Sequence, residues 1–479
     1  MINLSKCIKN RKNYIKVLIH CGFFSCIKIY SFFKLKIYRE ILKIKCKIKI
    51  QKIVIIRLIT LINFGKITLV EKIIFKNSFN KKNLTFFVEN IFYLSPKLSL
   101  KIIKEKIGFD KNNLLHIILE YYAGDKNIAF KHIKNLYKKK NFIQINKETI
   151  LYYSNFFANS NLEKLYLLNK YLDLFNLNKL LLKNYNSSLN ITNLYCNTKS
   201  LVNIKYDKKV SIIMTTYNSS TYIENALQSL LNQTYENIEI IVVDDNSKDD
   251  TVDKICKFVE VDKRIKLIKI PINVGTYVAK NIALNYVEGD FITCHDSDDF
   301  SHPLKIELQL EPLLLDKKKT ASISYWLRID ENGYCKNHYL YPLLRLNLSS
   351  FMYKKEVIKK IGFYDPVRTG ADNEFYHRVE FAFGKDSIIK IKKPLAFASY
   401  RDDSLTNHKL TGYKSNKLLD TRQIYWENWN KFLINCEREN IVPYIPQEHN
   451  LNRMFEAPEE LKVEYNDILF AISNSKIEG

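Results

Sequence analysis

The stretch FITCHDSDDF, residues 291–300, sets Asp296, Asp298 and Asp299 directly behind an apolar run. Carboxylates this close repel one another, and burying them without a neutralising partner is costly. On an extended segment Asp296 and Asp298 point to one side and can share a cation. Hard oxygen ligands of this kind suit Mg2+ or Mn2+. The bland alternative is a solvated loop ahead of a helix around Pro303. His295 adjoins the aspartates but points the other way, which favours packing or hydrogen bonding over ligation.

These residues need elements that hold them. From Val210 onward, short apolar runs alternate with helical patterns. VSIIMTTY reads as a buried strand, TYIENALQSLLNQ as a helix, IEIIVVDD as a strand, and the residues after DNSKDD as a helix. IKLIKI and DFITCHD read as further strands, separated by a helix over TYVAKNIALNYV. Repeated strand, helix, strand units imply a mostly parallel sheet with helices on both faces. Ligands of such sheets sit outside the carboxyl ends of the strands, near a switch in strand order. TTYN, DDNS and DSDD all fall at such ends. Singly each has an ordinary explanation, since DDNSKDDT would also cap a helix and Tyr217 could pack at a rim.

Together they resemble a family. VSIIMTTYNSSTYIENALQSLLNQTYENIEIIVVDDNSKDDT, then NVGTYVAKN and HDSDD, resembles the family 2 glycosyltransferases of the GT-A fold, in order and spacing over residues 208–300. The likeness continues more loosely through YKKEVIKKIGFYDPVRTGADNEFYHRV to about residue 410. It implies that Tyr217 stacks on a nucleotide base with Thr215 beside it, and that Asp245 accepts a hydrogen bond from the imide of a uracil. Asn273, Lys280 and Asp296 would complete the nucleotide site. Asp296 and Asp298 would form a D-x-D metal pair, with Asp298 the direct ligand. GADNEF would supply the general base, Asp372, with Glu374 the fallback. The implied activity is inverting transfer from a nucleotide-sugar, UDP-linked by preference, to a glycan or lipid-linked acceptor, as in bacterial surface polysaccharide synthesis.

The sequence departs from the family pattern at three places. Ala371 stands where relatives often carry Glu, and Lys280 replaces an Arg, keeping the charge but losing the bidentate fork. The metal-shell histidine has no clear counterpart in SYRDDSLTNH, where His408 or Asp403 would have to serve. The aromatics Tyr425, Trp426 and Trp429 recur at helical spacing, as expected of a face packed on the catalytic domain.

The remaining chain is of another texture. Residues 1–200 carry helical periodicity, clearest in a hairpin that sets Leu114, Leu115, Ile118, Tyr121 and Tyr122 on one face, turns at Gly124-Asp125 and places Ala129, Ile133 and Tyr137 on the next. The asparagine-rich NYNSSLNITNLYCNTKS reads as a linker, giving a helical region 1–200, a catalytic domain 208–410 and a helical extension 411–479. With 46% hydrophobic residues the chain is not disordered. The net charge of +25 is uneven, since Glu40 is the sole acid in the first sixty residues. Aromatics interleave with lysines over 6–57, which suggests peripheral contact with an anionic membrane surface. VLIHCGFFSCI falls well short of the ~20 residues of a spanning helix and lacks a cleavage site. Nine scattered cysteines fit a reducing cytoplasm, and no nucleic-acid module is recognised. The competing reading is a non-catalytic helical scaffold whose GT-A domain binds nucleotide without turnover.

Overall fold

The structure, a computed structural model, describes residues 48–63, 65–196, 207–401, 420–447 and 453–478. Most of the basic segment 6–57, together with Asp403 and His408, lies outside the described residues.

The first part is helical. Helices α1 (Ile48–Asn63), α2 (Ile67–Lys76), α3 (Lys81–Ile91) and α4 (Pro96–Ile102) precede the expected hairpin, α5 (Leu114–Ala123) and α6 (Lys126–Tyr137). Capping fixes its register: Asn113 accepts from the N–H groups of Leu115 and His116, and Asp125 accepts from that of Asn127. Tyr122 departs from the expected inner face and is half exposed. Helices α7 (Lys140–Ile145), α8 (Thr149–Phe157) and α9 (Asn161–Asp173) follow. At the described end of the basic segment, Val54 and Ile55 of α1 are buried in one core with Phe87 and Ile91 of α3.

The asparagine-rich passage is no spacer as far as Cys196. Strands β1 (Leu180–Leu182) and β2 (Leu194–Cys196) pair antiparallel. Leu189, Ile191 and Leu194 are buried in the core that also holds Leu168 of α9. The asparagines serve the turn, with Asn193 donating to the carbonyls of Asn184 and Ser188.

The second part is a mixed sheet with helices on its faces, as the sequence implies, but it is not mostly parallel: β13-β5, β6-β11, β11-β8 and β12-β7 are antiparallel neighbours. Its elements run β3 (Val210–Thr216), α10 (Ile223–Leu231), β4 (Ile238–Asp244), α11 (Thr251–Val261), β5 (Ile265–Lys269), α12 (Thr276–Leu284), β6 (Phe291–Cys294) and β7 (Asp299–Ser301). Then come α13 (Lys305–Leu315), β8 (Ala321–Ile329), β9 (Cys335–Lys336), β10 (Arg345–Leu346), β11 (Met352–Lys354), α14 (Glu356–Ile361), α15 (Ala371–Phe383) and β12 (Ile388–Ser399). The chain returns through α16 (Asp420–Glu439) and α17 (Tyr465–Asn474) to β13 (Lys476–Glu478). The strand order is β13-β5-β4-β3-β6-β11-β8-β12-β7. β5, β4, β3 and β6 are parallel neighbours, so β3 carries β4 on one side and β6 on the other. That reversal opens a crevice at the carboxyl ends. β3 and β4 are covered on both faces, which explains their near-continuous apolar runs.

DFITCHD is shorter as a strand than its pattern suggests. β6 stops at Cys294, and the aspartates occupy a turn closed by the Asp299 N–H donating to the Asp296 carbonyl. β7 then pairs with β12, with Asp299 opposite Ala398. Tyr425 and Trp429 of α16 are buried on the catalytic core as expected, and the Tyr425 hydroxyl donates to Asp365 at 2.8 Å. No helix among the described residues is long and apolar enough to cross a membrane.

Candidate active site

The carboxyl ends of β3, β4 and β6 open on a cleft of about 2030 Å³. This exceeds the ~300–1,000 Å³ of a typical small-ligand pocket and leaves room for two reactants. Thr215, Tyr217, Asp245, Asn273, Lys280, Asp296, Asp298 and Asp372 all line it.

At one end Tyr217 follows β3 and is 49% exposed as a residue, at the rim of the cleft where a planar ligand could stack on it. The Thr215 hydroxyl lies 2.7 Å from that of Thr276. Asp245 is buried, and its two oxygens accept from the N–H groups of Val274 and Gly275, both at 2.8 Å. Burial pushes its carboxyl up to about 6, against those hydrogen bonds and the Arg368 charge. Further lone pairs of the carboxylate stay open to a ligand donor. Asn273 bridges the Asp245 carbonyl at 3.2 Å and the Arg368 guanidinium at 3.1 Å. Gly275 has φ +85, and a Cβ there would meet Arg368 at 3.5 Å.

Lys280 of α12 is buried at the centre of the cleft, with its ammonium 5.1 Å from the Tyr277 ring centroid and 5.9 Å from that of Tyr364. Burial opposes its charge, while Cys294, Asp296 and Asp372 favour it and prevail, so its pKa is raised. A desolvated cation facing open space is suited to an anion such as a diphosphate.

Asp296, Asp298 and Asp299 all border the cleft, and Asp299 is the buried one of the three. Burial raises the Asp298 pKa against the Arg401 charge, and it raises that of Asp299 further, with Asp298 and Asp296 adding repulsion. Arg401 donates to Asp298 at 2.5 Å. The turn is thus a place that attracts cations. No group of three His, Cys, Asp or Glu side chains suited to a metal occurs among the described residues. Two carboxylates fit an ion such as Mg2+, which takes its other ligands from phosphates and water. His295 is buried, turned from the cleft, 3.2 Å from the Asp299 carbonyl and 3.4 Å from the Lys305 ammonium.

Asp372 opens α15 after Gly370, a left-handed residue with φ +94. It is half-buried, accepts from the Asn373 N–H at 2.8 Å and lies beside the Tyr277 hydroxyl. A carboxylate here can accept a proton from a ligand hydroxyl. Glu374 does not join it. Its side chain is fully buried and paired with Arg378 through 2.8 and 2.9 Å contacts. Arg378 also donates to the carbonyls of Ile361 and Phe363. That pair anchors the helix and leaves no oxygen for a ligand.

Several lining residues carry no motif. Arg368 and Arg401 come from loops whose course depends on the fold. Lys147 and Glu148 come from the helical part, and no local pattern announces their place in the cleft. Glu148 accepts from the N–H groups of Leu343 and Leu344 at 2.8 and 3.0 Å, fixing a wall of the cleft. Burial pushes its carboxyl up to about 7, against those two bonds.

Residues 211–379 match the family described as Glycosyl transferase family 2. An uncharacterized glycosyltransferase of Haemophilus influenzae is 45% identical over 105 residues, 22% of this chain and 42% of that protein. The UDP-Glc:alpha-D-GlcNAc-diphosphoundecaprenol beta-1,3-glucosyltransferase WfgD of Escherichia coli is 43% identical over 119 residues, 25% of this chain and 45% of that protein. The chain thus spans less than half the length of either relative. Among solved structures, S. aureus TarS 1-349 in complex with UDP is 22% identical, with 40% of this chain and 61% of that chain covered and a TM-score of 0.34.

Proposed function

We propose that this chain is an inverting, metal-dependent glycosyltransferase that moves a sugar from a nucleotide donor, UDP-linked by preference, to a glycan or lipid-linked acceptor. The observation that carries the reading is the convergence of Tyr217, Asp245, Lys280, Asp296, Asp298 and Asp372 on one cleft. Tyr217 stacks on the base and Asp245 accepts its imide N–H, with Thr215 and Asn273 bordering the nucleoside. Lys280 faces the diphosphate. Asp296 and Asp298 hold Mg2+ or Mn2+, which when bound offsets negative charge on the departing diphosphate. Asp372 takes the proton of the acceptor hydroxyl as its oxygen bonds to the anomeric carbon. The bond to the donor phosphate breaks on the opposite face, and the configuration inverts.

The name of the Escherichia coli relative, which joins a UDP-Glc donor to a diphosphoundecaprenol-linked sugar, supports a role in surface polysaccharide synthesis. Cytoplasmic placement, with residues 6–47 docked peripherally on an anionic membrane face, completes the reading. Deleting 1–47 should then abolish salt-sensitive binding to anionic vesicles, and retained binding would refute the docking.

Calorimetric titration of UDP, GDP and CDP with and without Mn2+ tests the donor site, repeated on Asp298→Ala. Tight UDP binding that needs both metal and Asp298 is the expected result, and a folded protein that binds none of the three refutes it. Asp372→Ala separates the enzyme from a nucleotide-binding scaffold. In an enzyme it keeps UDP binding and abolishes turnover of a UDP-sugar, whereas a scaffold shows no turnover to lose.

A further inference from the structure

Beyond Asp372 the cleft continues between the helical part and β12, and this end is strongly basic. Lys390, Lys392 and Lys393 of β12 line it, and Lys147 faces it from the loop before α8. The Lys390 ammonium lies 5.8 Å from the Tyr376 ring. Tyr376 stands one helical turn, about 5.4 Å, beyond Asp372 on α15. Lys147 donates to the Leu174 carbonyl at 2.6 Å and sits 4.1 Å over the Phe175 ring.

Lysine is common throughout this chain, so number alone means little. What sets this group apart is its convergence, with three lysines of one strand and a fourth from the helical part lining one end of the cleft. Lys392 and Lys393 form no hydrogen bond or ion pair among the described residues. The acids whose charges they face accept hydrogen bonds from other groups: Glu148, which feels Lys392, from the Leu343 and Leu344 N–H groups, and Glu380, which feels Lys390, from His377 at 3.0 Å. Burial, with repulsion from Lys393, lowers the Lys147 pKa. The cations therefore crowd one another around open space.

We infer that this end of the cleft binds a phosphate group carried by the acceptor, with Lys390, Lys392, Lys393 and Lys147 as its ligands. The inference rests on the glycosyltransferase reading and specifies its acceptor as a phosphate-bearing glycan. The attacking hydroxyl lies at Asp372 and the phosphate lies past Tyr376, so the acceptor spans at least one helical turn. The same chemistry is offered by a lipid-linked sugar diphosphate and by a soluble sugar phosphate.

The test uses the full chain saturated with UDP and Mn2+. Three probes are titrated by calorimetry: a glucosyl diphosphate with a short prenyl chain, soluble glucose 1-phosphate, and a prenyl glucoside without phosphate. Both phosphate-bearing probes should bind more tightly than the glucoside. Lys390→Gln/Lys392→Gln/Lys393→Gln should weaken them about tenfold with UDP affinity unchanged, and the corresponding triple Arg variant should retain binding. A lipid acceptor is indicated when the prenyl diphosphate binds much more tightly than glucose 1-phosphate, and a soluble one when the two are alike. Equal binding of the glucoside, or an unaffected triple Gln variant, overturns the phosphate site while leaving the donor reading intact. Failure of UDP to bind the wild type overturns both.

Discussion

Arg401 and Asp298 meet at 2.5 Å across the mouth of the cleft, tying the residues after β12 to the turn after β6. Both side chains are about one-third exposed, so the pair is worth only ~0.2–1 kcal/mol. A divalent ion and Arg401 would compete for one carboxylate. Arg401→Gln should therefore lower the Mn2+ concentration needed for half-maximal UDP binding severalfold, whereas Asp298→Asn should abolish the metal dependence. Unchanged Mn2+ titration in Arg401→Gln would remove the competition.

Glu374 and Arg378 form the opposite kind of pair, with neither side chain reaching solvent. Leaving one charge of such a pair alone costs about 3–5 kcal/mol. Glu374→Ala should lose that much stability in urea unfolding, and Arg378→Ala should lose a similar amount. A fully stable Glu374→Ala protein that had lost turnover would restore Glu374 as a base.

If Asp245 binds the base as proposed, nucleotide binding depends on pH. Its folded pKa of about 6 stands above the ordinary 3.8, so the folded protein binds more protons than the unfolded chain between those values. The contribution of Asp245 to stability therefore declines as pH rises through this window. Ligand binding runs the other way, because accepting the imide N–H needs the carboxylate. UDP affinity should rise as pH passes about 6 and then level off, and Asp245→Asn should flatten the profile. A step of equal size in Asp245→Asn would assign the titration to another group.

Glu148 links the helical part to the cleft wall through the Leu343 and Leu344 N–H groups. Glu148→Ala orphans two donors, each worth ~1–3 kcal/mol if it stays buried. The variant should lower kcat/KM through the acceptor KM, with UDP affinity held. An equal loss of UDP affinity would mean that the whole cleft had collapsed.

The strands and helices from β3 to β6 were legible because each buried strand is a short apolar run and each cap a local polar signal. The polar residues at the strand ends, which line the cleft, came with them. The same motif pointed to Asp372, which lines the cleft, and to Glu374, which does not, since sequence spacing cannot tell a helix residue facing the cleft from one four positions before a buried arginine. Arg368 and Arg401 were missed because their positions follow from long loop paths. The asparagine-rich passage misled for a related reason: turn-forming asparagines look alike whether they flank a spacer or, as at Asn193, knit a packed hairpin.

One consequence concerns how this protein can be cut. Leu168 and Leu194 of the helical part share one core with Leu327 and Phe397 of the main sheet. A fragment beginning at Lys208 would bare that apolar face to water and lose the Glu148 brace of its own cleft. Grafting a foreign helical half onto the sheet would require refitting the seam, so the portable unit is the pair, and the shape of the cleft wall and the stability of the sheet must change in step.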